Sequence, residues 1–162
     1  MPEVSGRHGQ RLIDEGNARL VMGLVGSTLR VLQALPADTV NGIPGDGTVL
    51  VHGDFGPQNM LFDLTDSGRV TAVLDWEFAH LGQPIEDLAW AEWIVRMHHP
   101  DHVDSVEELL SRSGVSASWT DRHAVMVRRC HELLGYSRTV GVPAGEALWR
   151  ERVAATEAWT SE

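Results

Sequence analysis

The hydrophobic period changes twice along this chain, and those two changes restrict its fold more than any other feature. From about Gln10 to Leu35 apolar residues recur at helical spacing, with Val21, Leu24, Val25, Leu32 and Leu35 on one stripe. Gly23 and Gly26 weaken that helix, and Pro36, Asn41, Gly42, Pro44, Gly45 and Gly47 end it in a loop of turn formers. The segments 48–52, 59–63 and 70–76 are then short and rich in β-branched or large apolar residues, which predicts three strands. Asp66, Ser67 and Gly68 predict a hairpin turn that makes the last two antiparallel neighbours.

Beyond Gly82 the helical period returns. Pro84 suits a first helical position, and Glu86 and Asp87 suit the positive end of a helix dipole. Trp90, Trp93, Ile94 and Met97 follow at i, i+3, i+4 and i+7, while Leu88, Ala89 and Ala91 fill the rest of the circumference, so this helix is predicted at the centre of the core. Further helices are expected near 103–111, 121–134 and 144–159. Helix, compact β insertion, then helices gives a mostly helical α+β fold. With 162 residues and 43% hydrophobic content the chain reads as a single domain: a helical lead-in over 1–47, a β region over 48–77 and a helical subdomain over 83–162.

A formal charge of -10 argues against a nucleic-acid groove or an anionic membrane surface as partner. No apolar run approaches the ~20 residues of a membrane-spanning helix, and Met1 to Arg11 is too polar for a secretory signal. The one cysteine, Cys130, forbids a disulfide within the chain and reads as a small core residue, so a cytoplasmic location is expected. The basic side chains are all arginine; no lysine occurs.

Chemistry concentrates where the β runs end. Val49-Leu50-Val51 releases His52, Gly53 and Asp54 into a loop containing Gly56 and Pro57, Asn59 opens the next run, and Val73-Leu74-Asp75-Trp76-Glu77 closes the third. Rigid strands that deliver two carboxylates and an amide to one rim offer hard oxygen ligands to a cation such as magnesium, beside room for phosphates. As mere turn caps, the three residues are explained singly but not as a set. The run His98, His99, Asp101, His102 and Asp104 around Pro100 lacks cysteine ligands and reads as a solvated connector, not a zinc site.

His-Gly-Asp, four residues, then Asn, followed by an apolar-flanked Asp-Trp-Glu, resembles the aminoglycoside phosphotransferase family of the protein-kinase-like superfamily, over roughly His52 to Trp93. The resemblance implies a kinase-like carboxyl-terminal lobe and transfer of the γ-phosphoryl group of ATP to a hydroxyl of a small molecule, with Mg2+. Asp54 would accept the hydroxyl proton or orient the hydroxyl, and His52 would orient the loop. Asn59 and Asp75 would hold magnesium and the ATP phosphates, with Glu77 as a further metal group if its strand continues. Leu61, on the side of Asn59 by strand alternation, and Leu74, beside Asp75, would floor the adenine pocket, and Asp87 would buttress the loop. The amino-terminal lobe of such enzymes, with its phosphate-pairing lysine, has no counterpart in these residues. A missing lobe or a homodimer is therefore the expected partner. The runner-up is a nucleotide- or metal-binding module without turnover.

Overall fold

The computed structural model describes residues 5–36, 40 and 42–160, so the predicted turn residue Asn41 lies outside the described residues. The chain divides into two compact units, Met1–Ser116 and Ala117–Glu162. Among the described residues no helix is long and apolar enough to cross a membrane.

The first unit opens with strand β1 (Arg7–His8) and the short helix α1 (Gly9–Leu12). A wide turn over Ile13–Asn17, with Gly16 at φ 90°, separates these from helix α2 (Ala18–Gln33). The buried stripe of α2 is Ala18, Val21, Met22, Val25 and Leu29, whereas Leu35 of the predicted stripe is exposed. The face is set by a small residue: a Cβ on Gly26 would stand 2.6 Å from the Leu109 carbonyl oxygen of helix α4 (Val106–Ser113). Gly26 is thus the point of close approach between two helices and not simply a weak place in one.

Strands β3 (Met60–Asp63) and β4 (Arg69–Val73) form the predicted antiparallel hairpin, pairing Met60 with Val73 and Asp63 with Arg69 across an irregularity at Leu61/Phe62. Its turn carries Asp66 and Gly68 in left-handed conformations, closed by the Gly68 N–H donating to the Thr65 carbonyl at 2.9 Å. β1 adds to the other edge of β3. The first predicted strand, β2 (Val49–Val51), does not join this sheet: it pairs antiparallel with β5 (His80–Gly82), Val51 opposite His80. β4 stops at Val73, short of the predicted 76.

Helix α3 (Ile85–His98) is central, as its periodicity predicts, with Leu88, Ala89, Ala91 and Val95 fully buried. The residues after it form a tight helical segment, Pro100–Ser105, before α4, and His99 is buried, not solvated. In the second unit, helix α5 (Trp119–Val140) starts at Ser118, whose Oγ accepts the Asp121 N–H at 3.1 Å, and runs through Gly135, past the predicted end, to Gly141 at φ 74°. It buries Arg122, Met126, Cys130 and Leu134, one residue every four. Helix α6 (Pro143–Glu157) meets it through Thr156, whose carbonyl lies 2.7 Å from His123 Nε2.

Candidate active site

The loop after β2 is held by its backbone. Gly53 turns at φ 84°, and a Cβ there would meet the Phe78 carbonyl oxygen at 2.5 Å, so both conformation and space require glycine. Asp87, in the first turn of α3 and 1% exposed, accepts the His52 N–H on Oδ2 at 2.7 Å and the Gly53 N–H on Oδ1 at 3.0 Å. Burial pushes the Asp87 carboxyl up to about 6, against the pull of those two N–H groups.

His52 is buried, with its Nδ1 accepting the Asp54 N–H at 3.2 Å and its Nε2 2.8 Å from the Leu74 carbonyl oxygen. A carbonyl only accepts, so the ring proton sits on Nε2 and the lone pair on Nδ1. The Trp76 ring lies 4.5 Å from the imidazole, centroid to centroid. His52 therefore bridges the loop to the segment after β4, and the Leu74 N–H completes the tie by donating to the Asn59 carbonyl at 2.8 Å. Leu74, the residue preceding Asp75, is thus held at both its N–H and its carbonyl.

The Asp54 carboxylate is the centre of this network. Oδ2 accepts from Asn59 Nδ2 at 2.8 Å, and Oδ1 accepts from Trp90 Nε1 at 2.7 Å and from Gln58 Nε2 at 3.2 Å. Asn59 also donates to the Asp54 carbonyl at 2.9 Å. Asp75 sits at φ 65°, a left-handed conformation unusual for a side-chain-bearing residue and a form of strain that concentrates at functional positions. Its carboxylate is exposed and engages no hydrogen-bond partner among the described residues.

Several predicted placements change. Asp54, Asn59 and Asp75 do not come from the ends of adjacent strands; β2 belongs to a different sheet from β3 and β4, and the His52–Leu74 bond makes the connection. Asn59 ends a tight turn over Pro57–Asn59, so strand alternation does not carry from it to Leu61, which pairs with His8 and Ala72 within the sheet. β4 ends before Leu74, so alternation gives no reason for Glu77 to follow Asp75; Glu77 is exposed. Leu74 is 38% exposed.

Trp90 and Gln58 are contacts of Asp54 that sequence reasoning missed, having counted Trp90 with the core and given Gln58 no role. One signal was present: Trp90 lies three residues after Asp87 and so on the same helix face.

The donors suit a hard cation. Because Asn59 spends its amide nitrogen on Asp54, its Oδ1 accepts nothing among the described residues, and together with the Asp75 carboxylate it matches the oxygen ligands magnesium prefers. Elsewhere, no group of three or more His, Cys, Asp or Glu side chains among the described residues is arranged to hold a metal; His99 Nδ1 lies instead 3.2 Å from Asp14.

Residues 2–114 match the family model described as "Phosphotransferase enzyme family". "Hygromycin-B 4-O-kinase" of Escherichia coli is 44% identical over 52 residues, 30% of this chain and 14% of that protein. "Acyl-CoA dehydrogenase family member 11" of Gallus gallus is 47% identical over 53 residues, 32% of this chain and 7% of that protein. These matches therefore span only a small part of either relative. Among solved structures, a GDP complex of aminoglycoside 2'-phosphotransferase-IIIa superposes with a TM-score of 0.76 at 13% identity, covering 96% of this chain and 69% of that one, a likeness of fold.

Proposed function

The chain belongs to the phosphotransferase enzyme family, and from that premise we propose that it is the carboxyl-terminal catalytic lobe of an ATP- and magnesium-dependent kinase acting on a hydroxyl of a small molecule. The observation that supports this best is the Asp54 carboxylate, held by three N–H donors in a loop that Asp87 clamps and that His52 ties to the residue before Asp75.

In this reading Asp54 receives the acceptor hydroxyl and orients its oxygen towards the γ-phosphorus. The new oxygen–phosphorus bond forms as the bond to the β,γ-bridging oxygen breaks. ADP leaves with that electron pair, and the hydroxyl proton passes to Asp54. A loose transition state needs little deprotonation of the alcohol early on, so a fixed carboxylate serves by position. Asn59 Oδ1 and Asp75 would hold magnesium, which when bound supplies charge neutralisation for the phosphate oxygens. His52 keeps loop and Asp75 in register, and no proton chemistry is asked of it.

None of the 162 residues is lysine, so the phosphate-pairing cation is here an arginine or belongs to residues outside this sequence. A second lobe, or a second copy of the chain, would cover Leu74 and Phe78, the latter 41% exposed, next to the site.

Calorimetric titration with magnesium and ATP tests the reading. Asp75→Ala should weaken binding at least tenfold, whereas Asp54→Ala should leave binding within about twofold of the parent and abolish transfer of labelled γ-phosphate to a panel of amino alcohols and sugars. Equal tolerance of both substitutions would defeat it.

A further inference from the structure

The carboxylate of Asp54 is not symmetric in its surroundings. A carboxylate oxygen offers about two acceptor positions. On Oδ1 both are taken, by the Trp90 indole N–H at 2.7 Å and the Gln58 amide at 3.2 Å. Among the described residues Oδ2 accepts only from Asn59, at 2.8 Å, which leaves one position open there. Gln58 is a flexible side chain on the loop itself. Trp90 is 5% exposed, belongs to the central helix, and stacks on the buried Trp93 with ring centroids 4.3 Å apart and planes 5° from parallel. Its N–H therefore arrives from the buried central helix and not from the loop.

We propose that Trp90 is a positioning residue of the transfer reaction: by occupying Oδ1 of Asp54 with its indole N–H, it leaves Oδ2 as the oxygen that receives the acceptor hydroxyl. This rests on the kinase reading above. The same helix supplies both constraints on the loop, because Asp87 and Trp90 are three residues apart on one face, the first holding backbone N–H groups and the second the reactive side chain. Without the indole donor the carboxylate rotates, and either oxygen faces the acceptor.

The test is Trp90→Phe, which keeps an aromatic ring against Trp93 and removes the donor. Steady-state transfer from magnesium–ATP to a small-alcohol panel should show kcat reduced at least tenfold while KM for ATP stays within twofold, the pattern of an interaction used only as the reaction proceeds. A purely structural role would change both constants together. A second measurement does not need turnover: the Trp90 indole N–H resonance, identified by its loss in Trp90→Phe, should move upfield in Asp54→Asn and stay in place in Asp75→Asn. Transfer by the parent chain with kcat unchanged in Trp90→Phe, or an indole resonance indifferent to Asp54→Asn, overturns this inference and leaves the kinase reading standing. Absence of both nucleotide binding and transfer in the parent overturns the kinase reading, and this inference with it, whatever the resonance does.

Discussion

Replacing Asp87 with alanine removes the acceptor of two backbone N–H groups at once, those of His52 at 2.7 Å and Gly53 at 3.0 Å. The carboxylate is 1% exposed, so no water takes its place freely. Leaving a buried donor unsatisfied costs about 1–3 kcal/mol each, which puts Asp87→Ala at about 2–6 kcal/mol, a large fraction of the roughly 5–15 kcal/mol that holds a domain together. Asp87→Asn keeps one acceptor and also removes a buried charge, so its loss at neutral pH should be less than half as large. The two variants also differ in pH dependence. In the fold the Asp87 carboxyl is raised from its ordinary 3.8 to about 6, so the native state keeps its proton where the unfolded chain has released it. The resulting stabilisation is complete below pH ~4, declines as pH rises, and is gone above pH ~6; the gap corresponds to roughly 3 kcal/mol. Urea unfolding followed by tryptophan fluorescence at pH 4, 5, 6 and 7 measures this, with Trp76 beside His52 as a reporter of the loop. The stability difference between parent and Asp87→Asn should shrink steadily with rising pH. A difference independent of pH, or a loss under about 1 kcal/mol for Asp87→Ala at pH 7, would refute the assignment of Asp87 as the buried clamp of the loop.

Two further substitutions probe the backbone that surrounds the site. Gly53→Ala adds a Cβ at φ 84° and 2.5 Å from the Phe78 carbonyl oxygen, so it should lower stability by about 2 kcal/mol or more and weaken magnesium–ATP binding, read by thermal melts and calorimetry. Gly26→Ala places a Cβ 2.6 Å from the Leu109 carbonyl and should cost about 1–3 kcal/mol by parting α2 from α4, with nucleotide affinity unchanged because the atoms it meets belong to Leu109 and Arg112 and not to the loop.

The loop was readable in the sequence because its chemistry is carried by rare residue types at a fixed spacing between apolar runs, and neither burial nor partner is needed to see that. Helix α3 was readable because nearly its whole circumference is apolar. What escaped the sequence is what depends on a partner. β5 is His80-Leu81-Gly82, with no β-branched residue, and is a strand through its pairing with Val49 to Val51 and its bridge to Gly45. Of the stripe predicted for α2, Val21 and Val25 are buried and Leu35 is exposed, whereas the close contact with α4 runs through Gly26, a residue that hydropathy counts as nothing. The left-handed turn at Asp75 ended β4 early and undid the alternation argument for Glu77. Trp90 was counted as apolar bulk, since a pattern of hydrophobic residues does not register the one indole N–H that reaches Asp54.

The placement of Asp87 and Trp90 less than one helical turn apart also bears on which changes in length the gene can absorb. Adding or deleting a single residue between them rotates one about 100° around the helix relative to the other, and either Asp54 or the His52–Gly53 amides lose their partner. At the exposed tip of the β3–β4 hairpin, around Asp66 and Ser67, the same insertion disturbs neither grip.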